Sequence, residues 1–200
     1  MSAYKVYGDP VSGNCLKVKW TLDYLGADYE WIETSILKGE TRRPEFLAIN
    51  PAGQAPVIVT KMGRPLAQSN AIILFLAENH GGELLPPTPY ERAKVYEWLF
   101  WEQYDHEPYI AVRRFQKTYL GKADAQIDPK LMERGVAALT YMENRLAGAR
   151  WIAAEGFSAA DISLVAYTRF SHEGGFDLNA FPNVKTWVAR VEQRLGIGAL

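Results

Sequence analysis

The sequence predicts an α/β domain followed by an all-helical one. Three observations carry this. Up to Gly82 the chain alternates short β-branched and aromatic runs with stretches of helical periodicity. A proline-rich break, Leu84-Leu85-Pro86-Pro87-Thr88-Pro89, follows the Gly81-Gly82 helix stop. Beyond it the strand signals largely disappear and apolar residues recur at helical spacing. The expected division is a domain over 1–82, a linker over 83–89 and a helical domain over 90–200.

The elements follow in order. Tyr4-Lys5-Val6-Tyr7-Gly8 alternates and stops at Gly8-Asp9-Pro10, which reads as a strand and a turn. After Ser12-Gly13-Asn14, apolar residues at Cys15, Val18, Leu22 and Leu25 mark a helix that ends at Gly26. Tyr29 to Ile36 is rich in aromatic and β-branched residues and reads as a second strand, parallel to the first. Arg43-Pro44-Glu45-Phe46-Leu47 suggests a short helix with proline in its first turn.

The stretch from Asn50 to Ala71 concentrates the signals for a binding site. Asn50-Pro51-Ala52-Gly53 is a dense turn, and Ala55-Pro56 leads into Val57-Ile58-Val59. Proline brings no N–H, so its neighbour's backbone is left to pair with something other than a regular strand. Met62-Gly63 then returns the chain through Pro65-Leu66-Ala67, and Gln68-Ser69 stands before the apolar run Ala71 to Leu76. Such a helix start exposes N–H groups and a dipole that favour an anion. A free extended edge and a carboxylate cradle together suit a short peptide with a charged end. The order β-α-β-α-β-β-α is thioredoxin-like, a mixed four-stranded sheet with helices on both faces.

In the second half, Tyr90 to about Tyr119 is helical, with Pro108 expected to bend it. Pro129 to Leu146 is a second long helix, Trp151-Ile152-Ala153 a short apolar stop, and Pro182 to about Arg194 a closing helix. Between the last two, Ser158 and Asp161 form a capping-box pattern ahead of Ile162 to Ala166, with Asp in place of Glu.

Composition narrows the function. Of 200 residues, 48% are apolar, enough for a packed core. Lys+Arg 22 against Asp+Glu 23 indicates no pull toward nucleic acid or an anionic membrane. No apolar run approaches the roughly 20 residues of a membrane span, and the start of the chain lacks a signal-peptide profile. A single cysteine, Cys15, precludes an intrachain disulfide framework and fits a reducing compartment, so a cytoplasmic protein is expected. His80, His106 and His172 have no ligand spacing, and no metal site is expected.

The chain resembles the cytosolic glutathione transferases, with bacterial theta-, beta- or nu-like character. The resemblance rests on Ala55-Pro56 before a hairpin and on Gln68-Ser69 opening a helix. Residues 102–115 are similar to the first long helix of the family's C-terminal domain, 157–167 to its N-capped buried helix and 181–194 to its closing tryptophan helix. It implies a glutathione transferase fold, a thioredoxin-like glutathione-binding domain followed by an all-α domain. It implies further that Pro56 is cis, that the Ala55 backbone pairs with the cysteinyl part of glutathione, and that Gln68 and Ser69 hold the γ-glutamyl carboxylate. Lys38 and Gln54 are candidates for the glycyl carboxylate or the peptide backbone. Tyr104, Tyr109 and Arg113, near His106 and Phe115, are implied to line a pocket for a small hydrophobic electrophile. A homodimer and a role in detoxification are implied as well.

The chemistry needs a thiol, and the thioredoxin-like half holds no C-x-x-C, so the thiol comes from the ligand. A donor at a helix N-terminus is the device that lowers a thiol pKa. Ser12 and Asn14 stand at such a start and are the candidate catalytic residues. Ser12 matches the catalytic serine of theta-like members, while Ser12-Gly13-Asn14 followed by Lys17-Val18 resembles the Thr-Pro-Asn triplet of nu-like members. A plain helix cap is compatible with either role. Tyr4 and Tyr7 are rival donors, and Cys15, on an apolar stripe, reads as a buried inert thiol. Conjugation to an electrophilic carbon is the leading expectation. A glutathione-dependent disulfide oxidoreductase and a non-catalytic interaction module are the alternatives.

Overall fold

The computed structural model describes residues 3–198. By contact the chain falls into two compact units, Met1–Leu85 and Pro86–Leu200. The break lies inside the proline-rich stretch, and Leu84 and Leu85, within the expected linker, are buried.

The first unit runs β1 (Tyr4–Gly8), α1 (Gly13–Tyr24), β2 (Tyr29–Glu33), α2 (Pro44–Leu47), β3 (Val57–Thr60), β4 (Pro65–Ala67) and α3 (Ser69–Asn79). The four strands form one sheet in the order β2-β1-β3-β4. β1 and β2 are parallel, and the β1–β3 and β3–β4 pairs are antiparallel. This is the thioredoxin-like mixed sheet expected from the alternation. The helical stripe is real: Cys15, Val18 and Leu22 of α1 are fully buried, as are Ile72, Ile73 and Leu76 of α3. β2 is shorter than the expected Tyr29 to Ile36. Its last rung is Thr34 N–H to Gly8 C=O at 2.9 Å, and the Ile36 N–H turns instead to the Asp9 carboxylate at 2.7 Å.

The second unit contains only helices and loops among its described residues: α4 (Pro89–Trp101), α5 (Glu107–Arg114), α6 (Pro129–Leu146), α7 (Ala159–Thr168) and α8 (Pro182–Leu195), with short 3-10 turns. Thr88 starts α4 by accepting from Glu91 N–H at 3.3 Å, and proline stands in its first turn. The long segment to Tyr119 does not run as one regular helix. A π-turn over Glu102–His106 precedes Pro108, whose missing N–H leaves the preceding carbonyls without an α-type partner. A second π-turn covers Phe115–Tyr119. α7 is buried along all ten of its residues and forms the centre of this unit.

Candidate functional site

Register brings the sequence signals to one end of the sheet. β1 finishes at Gly8, and antiparallel β3 begins at Val57, which stands opposite both Tyr7 and Ala67. The turn into α1, the Ala55-Pro56 corner and the start of α3 therefore share one sheet end. Parallel β2 finishes at Glu33, opposite Gly8, so the loop that carries Lys38 leaves from the same end.

Ser12 is the N-cap of α1, with extended backbone angles and no side-chain capping bond to the helix. Its hydroxyl bonds instead to the Cys15 sulfur. Burial pushes the Cys15 thiol up to about 11, outweighing the Asp9 backbone and Ser12 hydrogen bonds that lower it. Cys15 is thus a neutral, fully buried thiol at neutral pH, as its place on the apolar stripe suggests. Asn14 accepts a hydrogen bond from the Ser69 hydroxyl at 2.9 Å. That bond joins the N-terminal turns of α1 and α3, so the two parts of the expected site touch.

Asp9 is the residue that sequence reasoning missed. It is almost fully buried, and its carboxylate accepts from Val11 N–H at 3.1 Å and from Ile36 N–H at 2.7 Å. Its carbonyl accepts from Ser12 N–H at 3.1 Å. One side chain thereby sets the turn that presents Ser12 and ties it to the loop after β2. The Gly8-Asp9-Pro10 turn signal was visible, since aspartate commonly bonds backbone two residues on. The second bond, to a residue 27 positions away, was not.

At the start of α3, Ser69 is buried while Gln68 is exposed. Gln68 takes φ +70°, the one positive φ outside glycine among the described residues. Such backbone costs on the order of 1–3 kcal/mol and gathers at binding sites. Gln68, as N-cap, makes no side-chain capping bond to the first turn of α3, which lies at the positive end of the helix dipole. The Ala55-Pro56 bond is cis, and among the described residues the Ala55 backbone has no hydrogen-bond partner. The loop before it is held by Asn50, whose amide donates to the Gln54 carbonyl at 2.7 Å and accepts from Ala52 N–H at 3.2 Å. Gly53 suits this turn: it takes φ +62°, and a Cβ there would also lie 3.1 Å from the Thr41 carbonyl oxygen.

Other candidates are placed less closely. Lys38 and Gln54 are both exposed, and neither side chain has a partner among the described residues. Tyr4 stands at the start of β1, at the far end of that strand from Gly8, and its hydroxyl meets His80 Nε2 at 3.1 Å. Tyr7 packs its ring edge-on against Phe46 at 6.2 Å. Tyr104, Tyr109 and Arg113 differ in exposure. Tyr104 is 79% exposed on the π-turn and Tyr109 is half-buried. Arg113 needs correction: its guanidinium is buried, donating to Gly174 C=O at 2.7 Å and Asp124 at 2.6 Å. It anchors loops and is not open to a ligand. Among the described residues no His, Cys, Asp and Glu cluster could hold a metal, and no helix is long and apolar enough to cross a membrane.

Comparison with known proteins places these features in context. The family model described as Glutathione S-transferase, N-terminal domain, matches residues 6–84, and that described as Glutathione S-transferase, C-terminal domain, matches 98–194. Glutathione S-transferase 3 of Zea mays is 32% identical over 204 residues, 97% of this chain and 91% of the maize protein. The disulfide-bond oxidoreductase YfcG of Escherichia coli (strain K12) is 33% identical over 192 residues, 91% of this chain and 87% of its own. A crystal structure of a glutathione S-transferase from Pseudomonas fluorescens [Pf-5] superposes with a TM-score of 0.91 at 47% identity, covering 96% of this chain and 95% of that one.

Proposed function

We propose a function from one premise: the chain belongs to the glutathione S-transferase family. It binds glutathione at the end of the sheet and activates the thiol for attack on a small hydrophobic electrophile. The γ-glutamyl carboxylate sits on the α3 N-terminus with Gln68 and Ser69, the Ala55 backbone pairs with the cysteinyl part, and Lys38 and Gln54 serve the glycyl end. Ser12 donates to the sulfur. Residues 1–82 form the glutathione domain, 83–89 the linker and 90–200 the helical domain, in a cytoplasmic homodimer that acts in detoxification.

The observation that carries this reading is the Ser69–Asn14 hydrogen bond beside a free Ala55 backbone, because it sets a carboxylate site next to the α1 N-terminus. The energetic demand is modest. A free thiol with pKa near 8.5 is about 3% ionised at neutral pH. Lowering the pKa by about 2 units stabilises thiolate over thiol by roughly 2.7 kcal/mol, within reach of a charge-assisted hydroxyl bond plus a helix dipole. Cys15, kept neutral, adds no competing negative charge beside that sulfur. A second reading, disulfide reduction with glutathione, is supported by the likeness to YfcG and by the Ser12-Gly13-Asn14 triplet; there Asn14 shares the donor role.

Alanine variants at Ser12, Asn14 and Ser69 test the assignment together. Bound thiolate is followed by ultraviolet absorbance against pH, alongside conjugation and small-disulfide assays and calorimetry. Ser12→Ala is expected to raise the bound thiol pKa by about a unit and to slow conjugation about tenfold at neutral pH. Ser69→Ala is expected to weaken glutathione by about 1–3 kcal/mol. Under the second reading Asn14→Ala slows disulfide turnover by a factor comparable to the Ser12 effect. Unchanged titration, rates and affinity in all three variants would sink the proposal.

A further inference from the structure

A cavity of about 490 Å³ opens in the second unit, lined by Arg150, Trp151, Phe157, Arg190, Gln193 and Arg194. None of these residues belongs to the glutathione site proposed above. Its size lies within the roughly 300–1,000 Å³ of small-molecule sites. Trp151 and Phe157 meet edge to face at 5.1 Å and form an aromatic wall. The Arg150 and Arg190 guanidiniums stand 5.8 and 5.9 Å from the Trp151 ring, and that of Arg194 stands 6.0 Å from Phe157.

Two of the charges at this wall, those of Arg150 and Arg190, have no ion-pair partner among the described residues. Arg190 donates to the Arg150 main-chain carbonyl at 2.5 Å, and the two guanidiniums stand 5.8 and 5.9 Å from the one Trp151 ring. The nearest acid on α8, Glu192, is buried and engaged with Arg169 at 3.0 Å. The Trp151 indole N–H likewise has no acceptor among the described residues. Planar forks converging beside an aromatic surface match a phosphate group, whose several oxygens satisfy more than one guanidinium, where a lone carboxylate satisfies one. The volume left beyond a phosphate, flanked by Trp151 and Phe157, suits a flat ring.

We propose that this cavity is a second ligand site, binding a phosphate monoester carried on a planar ring, of about mononucleotide size. Arg150 and Arg190 hold the phosphate, and the ring lies against the Trp151–Phe157 wall.

Titration calorimetry of the full chain without glutathione tests this with three probes: AMP, inorganic phosphate and adenosine. AMP is expected to bind at least tenfold more tightly than either of the others, and more weakly as salt is raised. Arg150→Glu, at an exposed position, is expected to weaken AMP tenfold or more while glutathione affinity stays unchanged; Arg190→Gln should act in the same direction. Equal affinity for phosphate and AMP would overturn the role of the ring wall. Equal affinity for adenosine and AMP would overturn that of the arginines. No AMP binding, or binding indifferent to both substitutions, would overturn the site itself. Because no arm involves the glutathione thiol, failure here leaves the preceding proposal standing.

Discussion

Two helices in this protein begin with the same spacing and use it oppositely. α1 opens with Ser12 and has Cys15 three residues on; α7 opens with Ser158 and has Asp161 three residues on. In both, the third position is a buried ionisable group facing the N-cap serine. Asp161 takes four donors: Ser158 N–H and hydroxyl at 3.0 Å each, Ile152 N–H at 2.9 Å and Trp187 Nε1 at 2.8 Å. The Asp161 carboxylate ties the N-cap residue, the Ile152 backbone and the Trp187 indole to that helix start. At α1 the partner is a neutral thiol, a weak acceptor. Ser12 makes no side-chain capping bond to its helix. Under the function proposed above, the α7 start serves stability and the α1 start serves the ligand, and the side chain at the third position differs accordingly.

The largest expected effect comes from breaking the closed start. Asp161→Ala leaves the Ile152, Ser158 and Trp187 N–H groups buried without their acceptor, at about 1–3 kcal/mol each where no water enters. A loss of about 3–5 kcal/mol in urea unfolding is expected, large among single substitutions. A loss below about 1 kcal/mol would show that α7 does not depend on this acceptor.

The open start has a pH signature. The folded Cys15 thiol holds its proton to about 11 against an ordinary value of 9.0. Between those values the folded state binds a proton that the unfolded chain has released, so stability falls as pH rises from 9 to 11 and is unaffected below that window. The loss for two units is on the order of 2.7 kcal/mol. Comparing urea midpoints of the parent and Cys15→Ala across the window isolates this group, since tyrosines and lysines titrate in both. Parallel pH profiles would mean that the thiol is exposed enough to ionise normally.

The contrast also explains what could be read from sequence. α6, α8 and the Ser158–Asp161 box were legible because capping residues, prolines and apolar spacing are local signals. Pro56, Gln68 and Ser69 were legible because they share one short stretch. Asp9 was not, because half its work is a bond to Ile36 across the sheet end. The same holds for the bond that joins Ser69 to Asn14, 55 residues away, and for the one from Arg113 to a carbonyl 61 residues on. Resemblance implies a pocket role for Arg113, and its charge is spent on the Gly174 carbonyl and Asp124. The π-turn at Glu102–His106 escaped because one extra residue in a turn barely disturbs apolar spacing, and Pro108 marked only its neighbourhood.

The smallest effect discriminates most directly between the two helix starts, because the same substitution is made at both N-caps. Ser158→Ala removes one of the four donors to Asp161 but leaves the backbone N–H bond in place. The expected cost is about 1 kcal/mol, the usual value of a lost serine cap. Ser12→Ala removes a hydroxyl whose partner is the Cys15 sulfur and which makes no bond to the helix amides. Its expected cost in stability is below about 0.5 kcal/mol, the range of substitutions that break no cap. Glutathione affinity and thiol titration should shift the other way, changing with Ser12→Ala and not with Ser158→Ala. Urea midpoints of the two variants, measured beside the parent, are enough to judge it. If Ser12→Ala costs as much stability as Ser158→Ala, then Ser12 is a cap like any other, and α1 is not held open for a ligand.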